Sequence, residues 1–120
     1  MNYEWFDEYC ISKKGTIKDL KVEWNNATRY MVGNKIYAMV SFDNMKRPII
    51  NLKVDPIYAE MAREKYTDVI PGYHMNKKHW NTVFINGNLP DDELRFMVDM
   101  AYRLVFESLT KKMQKEIGDN

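Results

Sequence analysis

The sequence predicts an α+β domain in which an antiparallel sheet of about five strands carries helices packed on one face, in the order α-ββββ-α-β-α. Two observations carry that reading. Between residues 20 and 54, apolar residues recur at every second position in successive runs separated by short turns, the signature of half-buried strands in a meander. Before, between and after the strands, apolar residues recur instead at i, i+3 and i+4, the signature of helices with one buried face. Strands grouped apart from helices make the α+β class. The 120 residues form one domain, 1–120, large enough to bury a core without metal or disulfide staples.

The first element is a helix from about Asn2 to Lys13. Asn2 suits the N-cap, Glu4, Asp7 and Glu8 suit the positive end of the dipole, and Gly15 suits the stop. Leu20, Val22 and Trp24 alternate with Lys21 and Glu23 as a half-buried strand does, and Asn25-Asn26-Ala27 reads as a hairpin loop. Thr28 to Val32 is a second strand closed by a tight Gly33-Asn34 turn. Ile36, Ala38, Val40 and Phe42 give a third strand one apolar face, and Ile50, Leu52 and Val54 mark a fourth.

Asp55-Pro56 opens a helix, with Asp55 as cap and proline at the first helical position; Tyr58, Met61, Ala62 and Lys65 mark one face. Trp80 to Ile85 is a fifth strand. A long final helix begins at Pro90 to Glu93 and buries Leu94, Met97, Val98, Ala101, Leu104, Val105, Leu109 and Met113.

Composition narrows the function. The chain is 45% hydrophobic and 13% aromatic with a net charge of +1, which excludes intrinsic disorder. No apolar run approaches a membrane span. The acidic start lacks the basic and apolar regions of a signal peptide, and the one cysteine, Cys10, fits a reducing compartment, so a cytoplasmic location is expected.

The distribution of charge says more than its sum. Residues 24–54 hold Arg29, Lys35, Lys46, Arg47 and Lys53 against the single acid Asp43. Residues 69–90 hold Lys77 and Lys78 with no acid, and also both histidines, His74 and His79. The helical stretches are net acidic. If helices cover one face of the sheet, the other is basic, with Tyr30, Tyr37 and Trp80 as aromatic neighbours. Cations interleaved with aromatic rings suit nucleic acid: lysine neutralises phosphate and rings stack on bases. The same residues also have a plain role, because strand lysines block edge aggregation and aromatics favour strands.

The densest segment is "PGYHMNKKHWNTV", residues 71–83. His74 and His79 lack nearby ligands for a metal set, and His79 has no evident nucleophile to serve, so neither metal nor cofactor is expected. Two readings stay open. Tyr73, His79 and Trp80 can anchor a long connection to the sheet by packing, or Lys77 and Lys78 can contact phosphate or another acidic group. No GxGxxG, P-loop, HExxH or GxSxG motif is present, and no nucleophile, base and orienting group can be placed together, so the chain is not read as an enzyme.

"YMVGNKIYAMV" (30–40), "LKVDP" (52–56), "PGYHMNKKHWNTV" and "AYRLV" (101–105), in this order and spacing, resemble the MmcQ/YjbR-like family of small bacterial proteins. The resemblance runs from about Thr16 to Lys112. It departs where the family usually has Ser before the Tyr of its last-helix motif, a place held here by Ala101. It implies a fold related to the frataxin-like (CyaY-like) architecture, and DNA binding of a so-called double-wing type. An iron role by analogy to frataxin is also implied, but Glu4, Asp7 and Glu8 make a thin acidic ridge for hard ions.

The expectation is therefore a nucleic-acid-binding module, with Lys35, Lys53, Lys77 and Lys78 on phosphates and Arg29, Arg47 and Trp80 as lesser contacts. The alternative is a non-catalytic adaptor that takes an acidic peptide, protein or small anion in a cleft around Tyr73, His74, His79 and Trp80.

Overall fold

The four successive apolar runs form the expected meander. The computed structural model describes residues 2–118. Its elements are α1 (Phe6–Ile11), β1 (Ile17–Lys21), β2 (Ala27–Val32), β3 (Lys35–Phe42), β4 (Pro48–Lys53), α2 (Pro56–Lys65), β5 (Val69–Pro71), β6 (Trp80–Phe84), α3 (Asp91–Ser108) and α4 (Lys111–Gly118). The six strands form one antiparallel sheet in the order β1-β2-β3-β4-β6-β5. The α+β class holds, with one more strand and one more helix than the sequence pattern indicated. No helix among the described residues is long and apolar enough to cross a membrane.

Strand register sorts the side chains onto two faces. The row Tyr30, Ala38, Leu52, Asn81 and the row Thr28, Val40, Ile50, Val83 face the helices. The rows Arg29, Met39, Asn51, Thr82 and Ala27, Ser41, Ile49, Phe84 face away from them, as do Lys53 and its partner Trp80. We call this second side the open face. The core lies between the helix face and α3, whose Leu94, Met97, Val98, Ala101 and Val105 are buried.

The N-terminal helix is much shorter than Asn2 to Lys13. Asn2 does not cap it; its side chain donates to the Gly87 carbonyl at 2.9 Å. A short helix with little intrinsic stability is held by tertiary contacts. Lys13 pairs with Asp99, Tyr9 Oη donates to Asp99 at 2.7 Å, and Tyr102 Oη donates to the Lys14 carbonyl, so α1 is fastened to α3.

Asp55 caps α2 as expected, its carboxylate accepting from the N–H groups of Ile57 and Tyr58 at 3.1 Å each. Of the residues that mark one face of this helix, Tyr58 and Ala62 are buried and Met61 is 55% exposed. The long final helix is broken. Leu109 adopts an extended conformation (ψ 161°), and Thr110 Oγ1 accepts from Met113 N at 3.1 Å to start α4. Leu109 is buried at the Gly33 turn, where φ is +57° and any Cβ would lie 2.6 Å from a leucine methyl. Glycine is thus required there twice, for its dihedral and for its size.

A register shift between Tyr30 and Met31 changes the expected alternation of β3. Tyr37 and its neighbour Ala38 are both buried in the core, which two consecutive strand residues achieve only at an irregularity. Tyr37 Oη donates to the Cys10 carbonyl at 3.0 Å and its ring meets Tyr102 edge-on at 5.4 Å. Tyr30 Oη donates to Asp7 at 2.8 Å. Both tyrosines therefore belong to the core and not to the basic face on which the charge pattern placed them.

Candidate functional site

Two loops rise on the open face. The first, residues 22–26, is a single 3-10 turn (Val22–Trp24) followed by Asn25 and Asn26, both left-handed with φ of 58° and 60°. Asparagine tolerates that conformation better than most residues, because its short side chain bonds locally. The strand expected from Leu20 through Trp24 ends at Lys21. Leu20, Val22 and Trp24 are exposed, because β1 is the sheet edge.

The second loop, residues 72–79, folds over the centre of the open face. A buried chain of polar groups holds it there. Tyr73 N donates to Thr82 Oγ1 at 2.9 Å, Thr82 donates to Asn51 Oδ1 at 2.7 Å, and Asn51 Nδ2 donates to Ser41 Oγ at 3.0 Å. Ser41, Asn51 and Thr82 are all buried. Tyr73 Oη accepts from Asn44 N at 3.0 Å, and His74 Nε2 bonds to the Phe42 carbonyl at 2.9 Å, so the loop is also tied to the end of β3. Gly72 permits the fold-back, because a Cβ there would lie 2.8 Å from the Cβ of Trp80. Arg63 of α2 braces the loop stem, donating to the carbonyls of Lys77 and Trp80 and to Asn81 Oδ1.

Between the loops lies a groove of about 440 Å³ lined by Trp24, Met39, Ser41, Phe42, His74 and Met75, with Glu23 and Asn25 on its rim. The rings of Tyr73 and His74 are stacked at 4.5 Å with 23° between planes. Trp24 is 46% exposed and carries the Arg29 guanidinium at 5.1 Å and the Lys21 ammonium at 5.9 Å.

The predicted site residues divide. Lys53 sits over the Trp80 ring at 5.5 Å, and Val54 N donates to the His79 carbonyl at 2.9 Å, so Lys53, Lys77, Lys78, His79 and Trp80 form one corner. Lys77 Nζ donates to the Gly72 carbonyl at 2.9 Å; Lys78 is exposed. Lys53, Lys77 and Lys78 pair with no acid among the described residues.

Arg29 also lies on the open face, but both Asp19 oxygens hold it, at 2.7 and 2.5 Å. Arg47 is held by Asp43 at 2.7 Å and stacks on Phe84 at 4.7 Å. Burial raises the Asp43 carboxyl, but hydrogen bonds from Arg47 and Met45 overcome it and hold the group below its ordinary value. Lys35 stands apart. It begins β3 opposite Val32, at the far end of the strand from the groove and on the helix side.

Trp80 is buried beneath Lys53 and Gly72, so it packs the corner and presents little ring to a partner. His79 is half-buried in the same corner, while His74 lines the groove. The exposed tryptophan of the face is Trp24, which alternation assigned to a half-buried strand. The paired asparagines after it were the available signal, because a tight turn there lifts the ring to a loop. Cys10 is buried, which pushes its thiol up to about 12 and makes it a core residue. Among the described residues, no group of three or more His, Cys, Asp or Glu side chains is placed to hold a metal ion.

Comparison with known proteins agrees with this architecture. A family model described as YjbR matches residues 11–104. Uncharacterized protein YjbR of Escherichia coli (strain K12) is 35% identical over 108 residues, which covers 90% of each chain. The crystal structure of Deinococcus radiodurans protein DR2400 superposes with a TM-score of 0.85 at 28% identity, covering 98% of this chain and 88% of that one. A crystal structure of a Pseudomonas syringae protein superposes with a TM-score of 0.73, also at 28% identity, covering 88% of this chain and 99% of that one.

Proposed function

We propose that this chain, which belongs to the YjbR family, is a non-catalytic nucleic-acid-binding module working through its open sheet face. One observation carries the reading. Lys53, held over the Trp80 ring, and Lys77 and Lys78 on the adjoining loop form one corner whose three cations pair with no acid among the described residues. Unpaired lysines beside an aromatic ring make a positive surface that suits the approach of a phosphodiester.

Roles differ by residue. Lys53, Lys77 and Lys78 are assigned to phosphate, because they are without acidic partners. Arg29 and Arg47 are assigned to orienting Trp24 and the 43–47 loop, because their charges are already paired. Such contacts fix position and carry no sequence information.

The test is fluorescence anisotropy of a labelled short oligonucleotide across a salt series. Changing Lys77→Ala and Lys78→Ala together is expected to weaken binding evenly across sequences and to shallow the salt slope by about 2 units. An unchanged slope refutes the assignment. A second reading draws on the apolar groove: capture of an acidic peptide or protein. Salt-insensitive binding to such a partner, with no affinity for nucleic acid at low salt, selects it.

A further inference from the structure

The groove between the loops carries more information than the cations around it. Its walls are Trp24 on one side and His74 with Met75 on the other, His74 being itself stacked on Tyr73, with Met39, Ser41 and Phe42 as floor. Duplex binding through backbone phosphates needs no such feature, because paired bases stay inside the helix. An unpaired base needs this combination: ring faces to stack on, an adaptable apolar floor, and a hydrogen-bonding group at its edge. At about 440 Å³ the groove is in the range of small-ligand sites.

We propose that the groove receives an unstacked base of a single nucleic-acid strand, and that the module therefore prefers single strand to duplex. This rests on the nucleic-acid reading above and makes it specific. Trp24 is the stacking platform. Arg29 and Lys21 lie against its ring, so the platform is fixed before binding and little side-chain freedom is lost. His74 extends the stack begun by Tyr73 on the opposite wall.

Ser41 supplies the polar group. It is buried and lines the groove, and its oxygen accepts from Asn51. Its own hydroxyl proton has no acceptor among the described residues, which leaves a donor for a carbonyl or ring nitrogen. Charge complementarity selects a strand over an uncharged aromatic ligand. The rim acid Glu23 is paired to Lys21 at 3.2 Å, and the exposed cations Lys77 and Lys78 lie on the loop that forms the far wall.

The experiment compares a ten-nucleotide single strand, the same sequence as duplex, and the matching mononucleotide, each titrated against the full chain at low and moderate salt. The strand is expected to bind on the order of tenfold more tightly than the duplex. It should quench tryptophan fluorescence, because Trp24 is the exposed indole while Trp80 is buried. Trp24→Ala is expected to remove the preference, the strand falling to the affinity of the duplex, and Trp24→Phe to restore most of it. Trp24 is a surface ring, so truncation spares the core; matching the circular dichroism of the variant to the parent checks this.

Equal or tighter duplex binding overturns the proposal, as does a preference that survives Trp24→Ala. A mononucleotide that binds as tightly as the strand overturns it too, since the site is then a small-ligand pocket. These outcomes leave the nucleic-acid reading standing. Absence of binding to all three at low salt removes both.

Discussion

Replacing Thr82 by valine keeps the side-chain shape and removes one oxygen from the centre of the open face. Thr82 is fully buried; its hydroxyl accepts from Tyr73 N at 2.9 Å and donates to Asn51 Oδ1 at 2.7 Å. The change leaves two partners unpaired, the buried Asn51 and the half-buried Tyr73 amide. Each costs about 1–3 kcal/mol, and Tyr73 lies at the low end because half-buried backbone retains some access to water. The loss is therefore about 2–4 kcal/mol. Unfolding entropy near the transition is about 2.1 cal/mol/K per residue, or ~0.25 kcal/mol/K for a chain this long, so each kcal/mol moves Tm by about 4 °C. Valine is expected to lower Tm by roughly 8–16 °C. The loop should loosen as well, because Tyr73 N is its anchor on the sheet. Urea and thermal melts followed by circular dichroism measure the first effect, and hydrogen exchange at the Tyr73 amide the second. A loss below about 1 kcal/mol with unchanged exchange refutes the reasoning that this polar chain holds the loop.

Two further predictions concern ionisable groups. Cys10, with its thiol pushed up to about 12 by burial, is expected to resist iodoacetamide at pH 8 in the folded protein and to react only in denaturant, as mass spectrometry would show; labelling at native rates typical of free thiols contradicts the buried placement. Asp43 is held below its ordinary value of 3.8, so its contribution to stability is complete above that value and is lost as pH falls through the lower folded value. Asp43→Asn is expected to destabilise the protein at neutral pH and to converge on the parent in acid, read as urea midpoints from about pH 6 down to about pH 2. A gap that stays constant across that range counts against the assignment.

How far the sequence spoke for this molecule depended on whether the signal was local. Asp55-Pro56 caps α2 through atoms within three residues, and the meander turns are short, so both were legible. Strand β5 was not, because three residues ending in Pro71 become a strand only by pairing with β6. The break at Leu109 carries no glycine or proline; it is made by burying that leucine at the Gly33 turn. The site divides in the same way. The clustering of lysines was readable as composition, whereas the faces were not. One register shift turned Tyr37 inward, and the early end of β1 turned Trp24 outward. The pairing of Arg29 and Arg47 with Asp19 and Asp43 also needed the folded chain, even though Asp43 is only four residues from Arg47.

The position of α3 along the chain has a consequence for synthesis. Every strand is complete by residue 84, and α3 begins at residue 91. A growing chain thus holds the whole sheet before it holds the helix that covers Ala38, Ile50 and Leu52. Until that helix leaves the ribosome, the inner side of the sheet is sheltered only by the six residues of α1 and by α2 over the β5 edge. α1 is itself fastened through Asp99 and Tyr102, which have not yet been made. The nascent protein therefore passes through a stage with strand pairing available and an apolar surface uncovered, the condition under which neighbouring chains associate.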